Sequence, residues 1–481
     1  MPAFVTHASL MHGWLPFLIQ LVTFVVLCCA IGRRTRQWSL SRLPAAVLVG
    51  VAGAGALYWY ITSLGIAGDP APVRLWIWTA LGGFAVALLI LGWSGSRWRR
   101  RGLAVLAVPL CGLCALLMMN LWVGYFPTAY IAWNKFTVGK VPDEVDRWSV
   151  TAMQLKGVRP PRGVVVPVST GSKESGFAHR AELVYLPPAW FASNPPPPLP
   201  TVMMIGSQLN TPADWIWAGN AKATLDKYAA AHDGNAPVFV FVDATGSFNN
   251  DTECVNSSHG NASAHLTKDV VPYVISNFGV SPKPQNWGVV GWSMGGTCAV
   301  QLATRHPNLF SAFVDIAGDL SPNIGSKEQT IAKLYGGDES KWAEFDPSTV
   351  MEHYGRYHGI SGLFEIPGTA AACNAPGPGV PRDARANPEG QDIAAGTLCE
   401  IAQQHGINAE VRALLGLHDW GFANESFVDA LPWIAGKLGT PGTTTPAPSP
   451  AAVNAAGTQG AAPGPPEAPG AAATSHTDPK F

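Results

Sequence analysis

Charge is what this sequence has least of. Only 13% of its 481 residues are Asp, Glu, Lys or Arg and the formal net charge is −1, whereas 47% are hydrophobic. A balance so close to neutral excludes the basic face that a nucleic-acid partner needs. The shortage is also uneven, because the stretches 14–31, 44–66, 76–93 and 103–126 contain no Lys, Arg, Asp or Glu at all. Each is close to the roughly 20 residues a helix uses to cross a bilayer. Residues 1–132 therefore read as a transmembrane region of four helices, integral to a membrane. With no ionisable group in any span, transport by the bundle is disfavoured and anchoring is its expected role.

Lys and Arg are missing before the first span too, so a cleavable signal peptide lacks its basic region. They gather instead as Arg33, Arg34, Arg36 and Arg42 after the first span, and as Arg97, Arg99, Arg100 and Arg101 after the third. The positive-inside rule makes both loops cytoplasmic and puts the N-terminus and everything after Phe126 outside. Cysteines are few, eight in all, and four of them lie within the spans. The other four, Cys254, Cys298, Cys373 and Cys399, form no C-x-x-C pair, which argues against zinc. In an oxidising compartment they permit two disulfides. Pairing 254 with 298 and 373 with 399 would tie a loop to a helix twice, and four free thiols are the alternative. After residue 440 large apolar side chains almost vanish, and the Pro/Ala/Gly-rich stretch 440–481 should be disordered.

Between these ends, in 133–439, apolar runs punctuated by turn residues mark strands at 163–168, 180–186, 201–205, 238–242, 287–290, 312–316, 362–366 and 409–414. A short connector is expected over 133–146. Helical stretches alternate with the later strands, at 212–231, 264–278, 297–305, 392–405 and 424–438. Such alternation implies a mostly parallel sheet with helices on both faces, here opening with an antiparallel pair. At its centre Gly291-Trp292-Ser293-Met294-Gly295 lies between a strand and a helix. A G-x-S-x-G pentapeptide in that setting is a nucleophile elbow, whose sharp turn exposes the serine hydroxyl above the sheet. Ser293 is the expected nucleophile, and the Met294 amide is half of an expected oxyanion hole.

The remaining roles follow from chain order. The base should sit after the last strand, where His418 falls, whereas His306 and His405 stand at helix ends. The orienting acid should lie between nucleophile and base. Asp392 is favoured there, with Glu400 and Asp383 as alternatives, and Glu365 is expected to lie buried in its strand. The loop after the third strand supplies the second oxyanion amide from Ser207 or Gln208. Asp251 and Glu253 form a carboxylate pair that could take a cation, but a hydrogen-bonded loop locked through Cys254 is the stronger reading.

The blocks YLPPAW (185–190), PADWIWAG (212–219), DTEC (251–254), GWSMGGTCA (291–299), RHPNLF (305–310) and HDWGF (418–422) resemble the esterase family of α/β hydrolases, which contains esterase D enzymes and secreted mycolyltransferases. The resemblance spans about 158–438, and the four-span front end is similar to that of membrane-anchored actinobacterial members. It implies an α/β hydrolase fold and a serine hydrolase using Ser293 and His418, with no cofactor or metal. A carboxylic ester, expected to be a lipid or cell-envelope acyl ester, would be the substrate. Acyl transfer to a cell-envelope glycan hydroxyl is the alternative outcome, and a non-catalytic envelope scaffold is the rival from another class.

Overall fold

Four long helices open the chain in the computed structural model: α1 (Trp14–Ile31), α2 (Arg36–Ser63), α3 (Val73–Gly92) and α4 (Trp98–Val123). The structure describes residues 8–32, 35–63, 71–93, 96–137, 139–369, 372–373 and 384–443. All four helices are long and apolar enough to cross a membrane. Helix α2 begins well before the apolar run does and carries Pro44 inside it, which neighbouring helices make tolerable. The bundle packs on small side chains, with Ala30, Ala46, Ala85, Ala104 and Ala107 buried, while Phe17, Leu48 and Ile90 face outward. Close backbone approach is the packing mode of helices in lipid. It is most acute where α2 meets α3, since a Cβ on Gly50 would stand 2.4 Å from the Ala80 carbonyl oxygen.

Helix α5 (Ala129–Thr137) runs into the stretch expected as a plain connector, and α6 (Arg147–Leu155) follows directly after it. Asp146 caps α6 by accepting the Ser149 N–H, an Asp N-cap signal at that helix start. The sheet follows, built from β1 (Val164–Val168), β2 (Glu182–Leu186), β3 (Thr201–Ile205), β4 (Val238–Val242), β5 (Trp287–Trp292), β6 (Ala312–Ile316), β7 (Ser361–Pro367) and β8 (Asn408–Leu414). Their spatial order is β1-β2-β4-β3-β5-β6-β7-β8. Strand β2 runs antiparallel to both β1 and β4, and the pairs from β4 through β3 to β8 are parallel. This is the α/β hydrolase arrangement, and it sends the C-terminal ends of β3 to β8 to one edge. Strands β2 to β6 are buried along their whole length, as a sheet covered on both faces requires. One core contains Met203, Val240, Val289 and Phe313, the other Val202, Phe239, Val290 and Val314.

The covering helices that bear on the site are α7 (Ala221–Ala231), α8 (Met294–Arg305), α9 (Gln391–Gln404) and α10 (Trp420–Lys437). The helix expected over 212–231 is broken in two. Asn220 takes a left-handed φ of 51°, and a Cβ at Gly219 would lie 2.7 Å from the Trp215 ring. Three helices between β6 and β7, Lys327–Tyr335, Glu339–Ala343 and Pro347–Tyr354, were not legible as apolar periods. The first is announced by a capping box between Ser326 and Gln329. Both expected disulfides form, Cys254–Cys298 and Cys373–Cys399. Most of the 440–481 tail, from 444 on, lies outside the described residues, as does Asp383.

Candidate active site

Ser293 occupies the turn between β5 and α8 with φ 57° and ψ −123°. A non-glycine residue takes such a conformation only where its surroundings fix it. The surroundings here are glycines and strand ends. A Cβ on Gly291 would fall 1.7 Å from the Gly295 carbonyl oxygen, and one on Gly295 2.4 Å from that of Ile205. The turn closes only if both stay glycine. The Ser293 N–H donates to the Ile316 carbonyl on β6 at 2.9 Å, which pins the elbow to the neighbouring strand. Its side chain is thereby left above the strand ends at the N-terminus of α8, where Gly296 N–H and Thr297 N–H donate to the Ser293 carbonyl.

His418 comes from the loop between β8 and α10, and its Nε2 lies 3.1 Å from Ser293 Oγ. Asp419 holds that loop by accepting the Phe422 N–H at 2.9 Å, capping α10. The Trp292 ring lies over the imidazole with centroids 4.4 Å apart. Burial pulls the His418 pKa down from 6.5 to about 4, so at neutral pH the ring is uncharged and can accept a proton. The Ser293 hydroxyl donating to Nε2 is the starting geometry of a base-activated nucleophile.

The other sequence candidates divide. Among the described residues, His418 Nδ1 is buried and has no hydrogen-bond partner. Asp392 instead accepts the adjacent Ile393 N–H at 3.0 Å in the first turn of α9, and Glu400 accepts from Gln404 Nε2 one turn on, at 3.4 Å. The structure does not bring either to the imidazole, because α9 turns its Ala394, Ala395 and Leu398 inward and uses its acids locally. Asp383 lies outside the described residues. Glu365 is buried in β7 as expected, and burial with the nearby Asp429 holds its carboxyl well above the usual range. Of the oxyanion amides, Ser207 N–H already donates to Asn210 Oδ1 at 2.8 Å. That contact leaves Gln208 as the loop amide carried forward with Met294. His306 and His405 are helix C-caps.

Behind the elbow, the loop after β4 is structural. Arg180 grips Asp243 through Nε at 3.0 Å and Nη2 at 2.6 Å, Thr252 Oγ1 donates to the Ala244 carbonyl, and Cys254 is tied to α8. Burial raises the carboxyl pKa of both Asp251 and Glu253, and the Asp251 carboxylate raises Glu253 further while the Glu253 side chain hydrogen-bonds to Asp251. Charges so placed protonate rather than stay open for a cation. A group that could hold a metal is His179, Glu182 and His265, with ligand atoms within 4.8 Å of one another. Each is already occupied, however. Glu182 accepts from Thr170 Oγ1, the Asp243 N–H and His265 Nε2, and both ring nitrogens of His179 meet carbonyl oxygens. The trio works as a hydrogen-bonded strut at the end of β2.

Sequence reasoning missed two features. One is Trp292, seen only as an elbow filler. The other is a clamp in which Tyr125 Oη and Lys135 Nζ both bind Asp214 Oδ1, the lysine at 2.6 Å. Partners 79 and 89 residues apart leave no local signal.

Residues 179–359 match the family model Esterase, described as "Putative esterase". An uncharacterized protein of Corynebacterium glutamicum is 30% identical over 283 residues, 57% of this chain and 62% of the relative. The chain thus spans less than two thirds of the curated relative it matches. Among solved structures, an S-formylglutathione hydrolase from Agrobacterium tumefaciens aligns with TM-score 0.46 and 18% identity over 58% of this chain and 97% of its own. A fluorophosphonate-binding serine hydrolase of Staphylococcus aureus aligns with TM-score 0.43 and 16% identity over 57% and 98%.

Proposed function

We infer from the match of residues 179–359 to the esterase family model that this protein is a membrane-anchored, extracytoplasmic serine hydrolase acting on lipid or cell-envelope acyl esters. The observation that carries the chemistry is the 3.1 Å approach of His418 Nε2 to Ser293 Oγ at a strained elbow. His418 takes the hydroxyl proton as Ser293 Oγ bonds to the ester carbonyl carbon. The resulting oxyanion is received by the amides of Met294 and Gln208. The imidazolium then returns its proton to the departing alcohol, leaving an acyl-serine. Water completes hydrolysis by the same steps, and no cofactor is required.

What supports the location is the arginine asymmetry around four apolar helices and the two disulfides in the domain that follows. In this reading residues 1–132 are the anchor, 133–439 the catalytic domain and 440–481 the tail. The test uses the full-length protein in detergent with a fluorophosphonate probe and a series of acyl esters. Wild type should label, and Ser293→Ala and His418→Ala should each lose labelling and about 10⁴-fold or more in turnover. A folded wild type that neither labels nor turns over any ester would leave the scaffold reading in its place. Adding a sugar acceptor decides the remaining choice, since acyl glycan appearing at the expense of free acid makes the enzyme a transferase. Asp392→Asn belongs in the same series. Because Nδ1 of His418 has no partner among the described residues, we expect it to lose less than about tenfold, against the far larger loss known for a true orienting acid.

A further inference from the structure

We propose that the mouth of this active site lies on the membrane surface and takes an amphiphilic ester directly from the leaflet that holds the four helices. This rests on the serine-hydrolase reading above and adds where the substrate comes from.

Three observations carry it. First, α4 ends against the catalytic loop. Its C-cap Gly124 is left-handed (φ 72°), and a Cβ there would stand 3.2 Å from the Trp420 N, 3.4 Å from the Gly421 N and 3.5 Å from Asp419 Cβ. His418 is two residues from Trp420, about 7 Å of chain. A helix that crosses a bilayer ends at the headgroup layer, so the catalytic histidine sits beside that layer.

Second, the join is rigid. Asp214, 2% exposed, binds both Tyr125 Oη and Lys135 Nζ. The Tyr125 ring packs edge-on to Trp420 at 6.5 Å, and Lys135 Nζ lies 4.3 Å over the same tyrosine ring. Tyr125 and Ile131 pack against the core that contains Trp215, Trp292 and Trp420. The domain is therefore held in one pose against the end of α4.

Third, the loops around Ser293 present an apolar lip. Leu209 follows β3, Phe248 follows β4, Leu320 follows β6, and Leu415 and Leu417 follow β8. All five are exposed, Phe248 by 76% and Leu415 by 75%. The strand order places them on both sides of the β5 elbow, at the same edge of the sheet. The segments 206–211, 246–250 and 415–417 contain no charged residue, and the Asp319 near Leu320 is half-buried, with its pKa raised to about 6 by desolvation. Exposed apolar residues scattered singly need no explanation, but a charge-free group of them around one catalytic serine marks an interaction surface. Continuity with the end of α4 names the occupant as the bilayer. Helix α5 extends that surface with exposed Tyr130, Trp133 and Phe136, the aromatic composition of a membrane interface.

The test uses the full-length protein in phosphatidylglycerol/phosphatidylethanolamine vesicles, with Cys28 and Cys29 replaced by Ser. Single cysteines at Phe248→Cys, Leu415→Cys and, as a control on a distant helix, Lys341→Cys are labelled with an environment-sensitive fluorophore. Spin-labelled lipids with the nitroxide near the headgroup then report depth. The lip positions should be quenched and position 341 should not. Equal quenching at all three, or none, overturns the proposal. In parallel, the double variant Phe248→Asp/Leu415→Asp should lose about tenfold in turnover of a long-chain ester embedded in the vesicles, and an unchanged rate overturns it. Fluorophosphonate labelling of wild type in the same vesicles keeps the two readings apart. Labelling without quenching means a serine hydrolase whose mouth faces water or another protein, whereas failure to label strikes the parent reading.

Discussion

The Trp292 ring lies tilted over His418 where the proposed mechanism places a positive charge. With no partner for Nδ1 among the described residues, the face of the indole 4.4 Å away would stabilise an imidazolium formed in the proposed attack, a contact worth about 0.5–2 kcal/mol. Trp292→Leu should therefore lower kcat by roughly 2- to 30-fold with little change in KM, and Trp292→Phe should recover part of it. Steady-state kinetics on a soluble ester measure both. The same residue sets a pH dependence. Because burial lowers the His418 pKa to about 4, the reactive neutral ring persists well below the ordinary histidine range. The acid limb of kcat/KM should fall near pH 4, and a limb at 6.5 would show that the ring is solvated in the working enzyme.

At the scale of elements, the elbow is held from beneath and from the side. Asp315 on β6 accepts the Gly318 N–H at 2.7 Å, and its Oδ1 would lie 2.2 Å from a Cβ on Gly296. Burial, with Asp319 adding repulsion, pushes its carboxyl up to about 8. The folded state thus keeps a proton that the unfolded chain releases near pH 4, so stability falls as pH rises from about 4 toward 8. Asp315→Asn should flatten that slope in thermal midpoints measured across the range. From the side, Cys254–Cys298 closes a 44-residue separation between the loop after β4 and α8. Replacing both cysteines by Ala should cost roughly 2–4 kcal/mol, read as a lower denaturation midpoint.

Across the whole molecule, the four-helix bundle and the sheet domain are joined through Asp214. Asp214→Ala would leave Lys135 facing a dry neighbourhood without its partner. Since Lys135 keeps some solvent access, the loss should be about 1–3 kcal/mol, below the full cost of breaking a buried pair. Domain melting in detergent checks it.

Most of the scaffold could be read directly. Although the fold decided the disulfide pairing among the alternatives that the sequence allows, the spans, all eight strands, the elbow serine and the late histidine are carried by local composition or by chain order. Those features are set by the alternation of apolar and polar residues and by a few φ-specific glycines, which act over short stretches. The sequence failed where the deciding contact was remote or the local signal weak. Gly219 and Asn220 cut a helix because Trp215 folds back on the backbone. The short helices between β6 and β7 bury a private core of Ile324, Leu334, Trp342 and Phe345 rather than a long apolar stripe.

By itself, then, the sequence determined which elements form and which residue occupies the strand-to-helix elbow, because hydrophobic period and turn stereochemistry are local. Only the tertiary structure decided what surrounds the imidazole, that Asn210 takes the Ser207 amide, and that the end of α4 abuts the catalytic loop. Those outcomes depend on distances between segments tens to hundreds of residues apart, and packing fixes such distances only when the whole chain has closed.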